Sequence, residues 1–569
     1  MRPCLSSLSI RGIEVVAVAL LCGGTVSRAA GQPEVIAVVA SDGYAELRDQ
    51  LTWVGEQVGN PTLAGFAESF LLLATQGKGL AGLDVKRPIG VVVTTEGGPL
   101  PSAHAFVPVK DLGKLLEAIR GMTGPVEEVD GVRRIALPGA PLVTISEKNG
   151  WAIISQEGVT AGIDDPLPLI GPVVKDYSLG IELFPSRMPD EMRQRLKGLL
   201  DEAARTAAAQ GQAMDAAPLA AVIDNLDDVE RLLFGFAVDK DKNLMLLDTT
   251  AVMAPGSAAA DVWTDAAKAT ATVGSPATAD GKPAAVRGHY AQAVPAATRA
   301  VIEAGILGAL ASGGTDPMAT TLAGLASDMV AAMLETGSVD AGMTLDTSAA
   351  NEEQPLPALT VGMRIKDGAA LEKKVKERLA AKDSLPANVT VQFDTGKQSD
   401  ARLHEVTIDV SGTPVAKQLG DKVTLTLAVL PQYAYLMAGG NVPKRLAAVM
   451  GAGGKPLPDS KPISSVELSL ASLIDYAAKM TKAFSPDDSQ GDMLREVAEE
   501  AAVKDTTQVR FSVQPVARGV TIRLSADAGA IRTIAASAAV RQGAAPAPMP
   551  RPRPRAERAP ADGSPALTP

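Results

Sequence analysis

Aromatic side chains are scarce in this sequence, at 3% of 569 residues. Cores built without large rings must be packed from Val, Leu, Ile, Ala and Met, and few rings remain to stack on sugars or nucleic-acid bases. Hydrophobic residues still reach 46% of the chain, which is enough to form the cores of two or three domains. We therefore expect a globular protein.

Cysteine is almost absent, and both copies, Cys4 and Cys22, lie near the N-terminus. There, Arg2 and Arg11 precede an apolar run over 15–21 and then small residues, a pattern typical of a signal peptide over residues 1–30. Removal of this segment would leave a cysteine-free mature chain, which excludes disulfide and thiol chemistry. We expect a periplasmic or secreted protein. An uncleaved anchor and lipid attachment at Cys22 are the alternatives.

Positive charge is in deficit, since the formal net charge is −11. An acidic body repels nucleic acid, so we expect no nucleic-acid partner. Residues 542–569 differ, because Ala, Pro and Arg dominate them, and this composition predicts a disordered tail. No segment of the mature chain offers about 18 uninterrupted apolar residues, so no transmembrane span is predicted.

The order of predicted elements divides the chain into two similar halves. A stretch rich in Pro, Gly, Ser and Ala over residues 271–286 has no hydrophobic periodicity and is typical of a linker. Residues 31–270 and 287–541 on its two sides show the same succession of strands and helices, and FVPVKDLGKLLEAI (106–119) aligns locally with GMRIKDGAALEKKV (362–375). The predicted class is α+β, with two halves in tandem, each an antiparallel sheet packed on one face by helices. We expect a ligand cleft at their junction.

Two local signals are specific enough to test. Apolar residues at spacings of three and four predict a helix whose buried face holds Tyr44, Leu47, Leu51, Val54 and Val58. Asn149-Gly150 predicts a tight hairpin, because both residues tolerate positive φ.

Three segments of the first half carry a family resemblance: LAGLDVKRPIGVVVTTEGGPLPSAHAFVPVKDLGKLLEAI (80–119), EKNGWAIISQ (147–156) and DYSLGIELFPSRMPDEMRQRL (176–196). They resemble a family of uncharacterised secreted proteins of planctomycete-type bacteria. The resemblance covers most of residues 30–270 and implies export and a shared fold. It supplies no activity and no catalytic residue.

Two motifs have the residue spacing of a binding signature but lack other features that the signature requires. Gly77, Gly79 and Gly82 have the spacing of a dinucleotide-binding loop, but they follow a predicted helix instead of a strand, so we interpret them as a connector. In DKDKN (239–243), Asp and Asn alternate as in a calcium loop. The required Gly and the closing Glu are missing, and a hairpin turn is favoured. No cofactor is predicted.

Histidine is also rare, with His104, His289 and His404 as the complete set. None has a second ligand at metal-binding spacing, so no metal site is predicted unless distant segments converge. No G-x-S-x-G, P-loop or zincin motif occurs, and the catalytic residues, if the protein is an enzyme, are unknown.

Two helical patterns are interpreted as ordinary packing and solvation. A Met-rich stripe is expected in the core. A basic helix face, supported by Glu372 four residues before Lys376, is expected in solvent. The stripe comprises Met318, Leu322, Leu325, Met329 and Met333, and the basic face comprises Lys366, Lys373, Lys374, Lys376, Arg378 and Lys382.

These observations favour a non-catalytic envelope protein that binds an apolar ligand or a protein partner. One alternative is an envelope hydrolase with a site assembled from separate strands, which a histidine beside a carboxylate in a deep pocket would favour. Another is a structural surface protein that self-associates through a strand edge.

Overall fold

A computed structural model describes the chain from residue 34 to residue 541 with internal gaps. The predicted signal peptide, both cysteines, the predicted tail and most of the predicted linker lie outside the described residues. The gaps are 96–100, 130–131, 136–141, 160–161, 210–225, 270, 274–283, 295–298, 301–302, 305–316, 349–355, 381–384, 414–415, 453–462, 485–491, 494 and 498–505.

The described residues form twelve α-helices and twenty strands, which confirms the α+β class. The helices are α1 (Tyr44–Gln57), α2 (Leu63–Ala74), α3 (Leu112–Thr123), α4 (Leu167–Asp176), α5 (Asp190–Ala209), α6 (Ala258–Ala266), α7 (Pro317–Leu334), α8 (Gly368–Ala380), α9 (Ala416–Leu419), α10 (Val442–Ala452), α11 (Leu470–Phe484) and α12 (Ala528–Arg541).

The strands follow in chain order. They are β1 (Glu34–Ser41), β2 (Ile89–Thr95), β3 (Pro101–Pro108), β4 (Glu127–Val129), β5 (Val132–Ile135), β6 (Val143–Lys148), β7 (Trp151–Gln156), β8 (Leu179–Leu183), β9 (Val229–Asp239), β10 (Leu244–Met253), β11 (Val286–Ala293), β12 (Ser338–Asp346), β13 (Ala358–Arg364), β14 (Val389–Gln398), β15 (Ala401–Asp409), β16 (Lys422–Val429), β17 (Tyr433–Ala438), β18 (Ser464–Ser469), β19 (Gln508–Val516) and β20 (Gly519–Asp527).

All twenty strands belong to one antiparallel sheet, whose centre is the pairing of β10 with β20. From β10 outward the order is β9, β8, β1, β2, β3, β7, β6, β5 and β4. From β20 outward it is β19, β18, β11, β12, β13, β17, β16, β15 and β14. Each strand on one side therefore has the position of the strand numbered ten higher on the other.

The junction between the two sets of strands is packed. Leu244–Val252 of β10 pairs residue by residue with Gly519–Asp527 of β20. Helix α12 lies against α1, where Ile531 shares a buried cluster with Trp53, and α6 contacts β19 and β20. In the described part of the chain, the place where the cleft was expected is thus occupied by paired strands and helices.

Helices cover both faces of the sheet, whereas the sequence led us to expect one covered face. Because side chains alternate along a strand, Trp151 and Ile153 of β7 pack towards α4, while Ala152 and Ile154 pack towards α3 on the other face. On the other side of the junction, Tyr435 of β17 packs with α10. Its neighbour Ala434 packs with α8.

Local chemistry explains where several elements begin and turn. Asp111 caps α3, because its carboxylate accepts the backbone N–H of Lys114 at 3.0 Å. Asn149 and Gly150 have φ values of 52° and 72°, which confirms the predicted tight hairpin between β6 and β7.

The predicted face of α1 is wrong in part. The buried residues include Gln50, Trp53 and Gln57, whereas Val58 is exposed. The cause is tertiary: Trp53 packs against α12, and the Gln50 amide nitrogen donates to Asp42 at 3.2 Å on the buried side.

The predicted linker begins inside the packed structure. Ala271 and Val273 are fully buried, and Val273 belongs to the cluster that packs with α10. The backbone N–H and hydroxyl of Thr272 both donate to the Asp340 carboxylate of β12. The chain therefore contacts the strands of the C-terminal side before residue 287.

Candidate functional site

The three histidines lie on separate strands, β3, β11 and β15. His104 is fully buried, with Nδ1 2.8 Å from the Ser155 hydroxyl and Nε2 3.4 Å from the Thr94 hydroxyl. Burial lowers the pKa of His104, which favours the neutral ring. His289 lies opposite Gly342 and Ser465 in the sheet. His104 is therefore a hydrogen-bonded core residue.

His404 is different, because carboxylates from two other elements meet it. Its Nε2 lies 3.6 Å from Oε1 of Glu372 on α8, and its Nδ1 accepts the backbone N–H of Asp394 on β14 at 3.2 Å. The ligand atoms of the three residues lie within 4.8 Å of one another, as a bound cation would require. His404 is 1% exposed and Glu372 is 5% exposed.

A bulge in β14 places Asp394 next to His404 and Glu372. The register between β14 and β15 shifts between Gln392 and Gly396, and Asp394 has a φ of 57°. Bulges re-aim residues beside functional sites, and a left-handed Asp costs energy that the surroundings must repay. Phe393 in the same bulge meets the His404 ring edge-on at 6.0 Å.

Two cations neutralise the carboxylates. Lys376 Nζ lies 2.8 Å from both Glu372 and Asp394, and Arg402 Nη1 lies 3.1 Å from Glu372. The hydrogen bond from Lys376 lowers the pKa of Asp394. The expected Glu372–Lys376 pair is confirmed, and Lys376 also joins the buried Glu372 to the exposed Asp394.

The tautomer of His404 argues against a bound cation. Because Nδ1 accepts an N–H, the neutral ring carries its proton on Nε2, which faces Glu372 at 3.6 Å, beyond hydrogen-bond distance. A metal-binding histidine needs the reverse arrangement, with the second nitrogen donating to an acceptor. In addition, Lys376 already places a positive charge between the carboxylates. The arrangement thus suits a hydrogen-bonded ionic cluster.

An apolar helix face forms a second unusual feature. In α2, Phe66, Phe70 and Leu73 follow the i, i+4, i+7 spacing of one helix face and are 74%, 66% and 79% exposed. We call these three residues the α2 face. Two of the nine phenylalanines of the chain are in it. Large exposed apolar patches mark interaction sites, and the signal was present in the sequence LAGFAESFLLLA, which lacks a polar stripe.

Helix α2 carries a single charged residue, Glu68, which lies 3.6 Å from Arg48 of α1. Glu68 is two residues from both Phe66 and Phe70, so it lies on the opposite side of the helix from the α2 face. The helix contains no Lys or Arg.

The other sequence candidates have structural roles. Gly77, Gly79 and Gly82 all have positive φ in turns after α2, as a connector requires. A Cβ at Gly82 would lie 2.2 Å from the Asp111 carbonyl, so close chain approach requires glycine there. In DKDKN, Asp239 accepts the Lys242 N–H at 3.0 Å, which makes it part of a turn.

The Met-rich stripe packs in the core as far as it is described. Met333 is buried, and Met329 and Leu325 pack against a buried cluster. The side chains of Met318 and Leu322 lie outside the described residues. Within the basic face, Arg378 pairs with Asp328 of α7 at 2.8 Å.

A cavity of about 350 Å³ lies beside α5. Asp190, Arg193, Gln194, Lys197, Leu226 and Asp227 line it. Charged side chains predominate, so it does not suit an apolar ligand.

Comparison with known proteins matches no family model, no curated protein and no solved structure. In the described residues, no helix has the length and apolarity needed to cross a membrane.

Proposed function

We propose that this protein is an exported, non-catalytic envelope protein that binds a partner protein through the α2 face. The exposure of Phe66, Phe70 and Leu73 carries the proposal. Anchors at i, i+4 and i+7 are the pattern by which one helix occupies an apolar groove of another protein. Aromatic anchors also contribute heavily to binding free energy.

A protein partner fits the α2 face better than a lipid surface does. Helices that lie on anionic membranes combine an apolar face with Lys and Arg at its border. Helix α2 contains no Lys or Arg, and Glu68 is its one charged residue. Such a helix offers anionic headgroups no electrostatic attraction.

Export and duplication belong to the same proposal. The N-terminal pattern at residues 1–30 and the resemblance to secreted proteins support a periplasmic or secreted location. The matching strand order on the two sides of the β10–β20 pair supports descent of the two halves from one ancestral unit.

The alternative of an envelope hydrolase has one observation in its favour, the proximity of His404 to Glu372. Two cations hold the Glu372 carboxylate, however, and His404 is buried beneath the bulge. A general base must reach its substrate's proton, which this arrangement opposes.

Site-specific photo-crosslinking in the producing cells tests the proposal. A benzophenone amino acid replaces Phe70 in the full chain, and a matched control carries it at Lys373, a side chain that is 78% exposed on α8. We expect one discrete adduct from position 70, heavier than the chain and absent from position 373. Substitution of Phe66 by Gln should weaken that adduct.

Three results would count against the proposal. The first is no adduct from position 70. The second is a lipid adduct, which would replace the protein partner by a membrane. The third is an adduct of twice the chain mass, which would indicate self-association.

A further inference from the structure

Several contacts hold the β14 bulge, and one of them, from His404 of the neighbouring strand, binds its backbone. Thr395 also donates its hydroxyl to Leu403 O at 3.3 Å, and Lys376 pairs with the Asp394 carboxylate. β14 pairs with β15 on both sides of the bulge, at Val389–Gln392 and at Gly396–Gln398. Between these stretches, the Asp394 N–H has no strand partner and donates to His404 Nδ1 at 3.2 Å. Asp394 is in the left-handed region, with φ at 57°, and this contact is the hydrogen bond of its backbone N–H.

Only neutral His404 can make that hydrogen bond. A neutral imidazole has one acceptor nitrogen, and a protonated ring has none. Protonation would place a hydrogen on Nδ1, opposite the Asp394 N–H. Two donors at this distance repel, and the Asp394 amide would lose its acceptor on β15.

Four charged groups face the ring of His404, and their charges do not cancel the effect of burial on its pKa. Glu372 of α8 and Asp394 of β14 favour the imidazolium, whereas Lys376 of α8 and Arg402 of β15 oppose it. Two negative and two positive groups therefore oppose each other, and burial sets the direction in which the pKa of His404 is shifted. Burial is the largest influence on the pKa of His404 and lowers it below its ordinary value of 6.5.

We propose that His404 is a pH-sensitive latch, which fixes the β14 bulge when its ring is neutral and releases the bulge when the ring is protonated. Release frees the Asp394 N–H from β15, while the flanking ladder stretches and the hydrogen bond from Thr395 to Leu403 remain. Because β14 is the edge strand of the described sheet, its release changes the surface at that edge. The latch is independent of the α2 face.

The sign of the pH effect follows from the lowered pKa. The unfolded or released segment binds the proton more readily than the latched form does. The latch is therefore closed above pH 6.5 and opens as the pH falls through the pKa of the folded state.

Hydrogen exchange of the full chain, read by mass spectrometry in peptides covering 389–398, tests the latch. We expect protection in this segment to fall by about tenfold between about pH 7.5 and about pH 5, after correction for intrinsic exchange. His404→Asn is the informative variant, because its amide oxygen can accept the Asp394 N–H and does not titrate. Its protection should stay constant over the same range.

A histidine NMR titration keeps the inference testable if His404→Asn folds poorly. Only three histidines contribute signals, and that of His404 can be identified in the wild type by its nuclear Overhauser contact with the Phe393 ring, which meets it edge-on. We expect it to titrate below 6.5 in the folded protein, together with the change in exchange. The latch is overturned if protection at 389–398 does not respond to pH, if it responds equally in His404→Asn, or if the ring titrates without any change in exchange.

Discussion

Asp248 of β10 and Arg523 of β20 form a two-pronged ion pair across the junction of the sheet. Arg523 Nε donates to Oδ1 at 2.9 Å, and Nη2 donates to Oδ2 at 2.7 Å. The hydroxyl of Tyr177 also donates to Oδ2 at 2.9 Å, and the Asp248 side chain has no exposed surface. A buried carboxylate at the centre of the sheet is therefore satisfied only when both sides of the junction are present.

Substitution of Arg523 by Met should lower the free energy of unfolding by about 3 kcal/mol, since it leaves a buried charge with one partner. Urea denaturation measures this. Arg510→Met is the matched control, because Arg510 pairs with Glu467 but is 52% exposed, and it should cost less than about 1 kcal/mol. Adding Asp248→Asn to Arg523→Met should restore part of the loss. Equal losses for the two Arg variants would contradict this account.

Tyr177 makes the junction sensitive to alkali. Burial, followed by the negative charge of Asp248, raises the pKa of Tyr177 to about 12. The folded state thus favours the neutral phenol, and its contribution to stability is complete below the ordinary pKa of 10 and is lost as the pH rises from there towards 12.

We expect the wild type to lose about 1 kcal/mol more than Tyr177→Phe between about pH 9 and about pH 11, allowing for partial exposure of the ring. Denaturation curves at the two pH values give the difference. Tyr435, whose pKa is also raised to about 12, is present in both proteins and cancels. Parallel curves for the two proteins would show that the phenol of Tyr177 does not titrate in this range.

Local sequence patterns predict much of the fold. The elements that they miss have identifiable physical reasons for being missed. The hairpin at Asn149-Gly150 needs only turn chemistry. Helices α4 and α10 were not predicted, although both pack on the face opposite α3 and α8. In α4, Pro172 lies inside the helix, where it lacks a backbone donor, and α10 is a short helix over Val442–Ala452. Tertiary packing stabilises both against these weak local signals.

The candidate sites, like the fold, could be predicted from the sequence only in part. His404 was a candidate in the sequence, but Asp394 and Glu372 lie 10 and 32 positions before it, and only the bulge and the packing of α8 bring them together. The α2 face could be seen as an apolar segment, yet its exposure depends on which side α1 and α3 cover. Periodicity cannot supply that information.

The α2 face should contribute little to folding, because its side chains are exposed. We expect the double variant Phe66→Gln, Phe70→Gln to change the free energy of unfolding by less than about 0.5 kcal/mol. Phe106→Ala, in a fully buried position, should cost about 3 to 5 kcal/mol. Chemical denaturation of the three proteins makes the comparison. A large loss in the double variant would mean that these residues pack within the protein, and the binding proposal would fall.

Arg445 is a buried cation whose guanidinium contacts main-chain oxygens. Nε donates to Gly440 O at 3.0 Å, Nη2 donates to Ala438 O and Gly439 O, and Nη1 donates to Leu359 O and the Thr360 hydroxyl at 2.7 and 2.8 Å. It thereby joins the start of α10 to β13 and to the end of β17.

Arg445→Met should cost about 3 kcal/mol of unfolding free energy, since it leaves several buried carbonyls without donors. Arg445→Lys should recover less than half of that loss, because an ammonium cannot reproduce the planar fork of five N–H groups. The adjacent, exposed Lys444 gives the control, and Lys444→Met should change stability by less than about 0.5 kcal/mol. Full rescue by lysine in urea denaturation would show that charge alone matters at position 445, and the carbonyl-bridging role would be wrong.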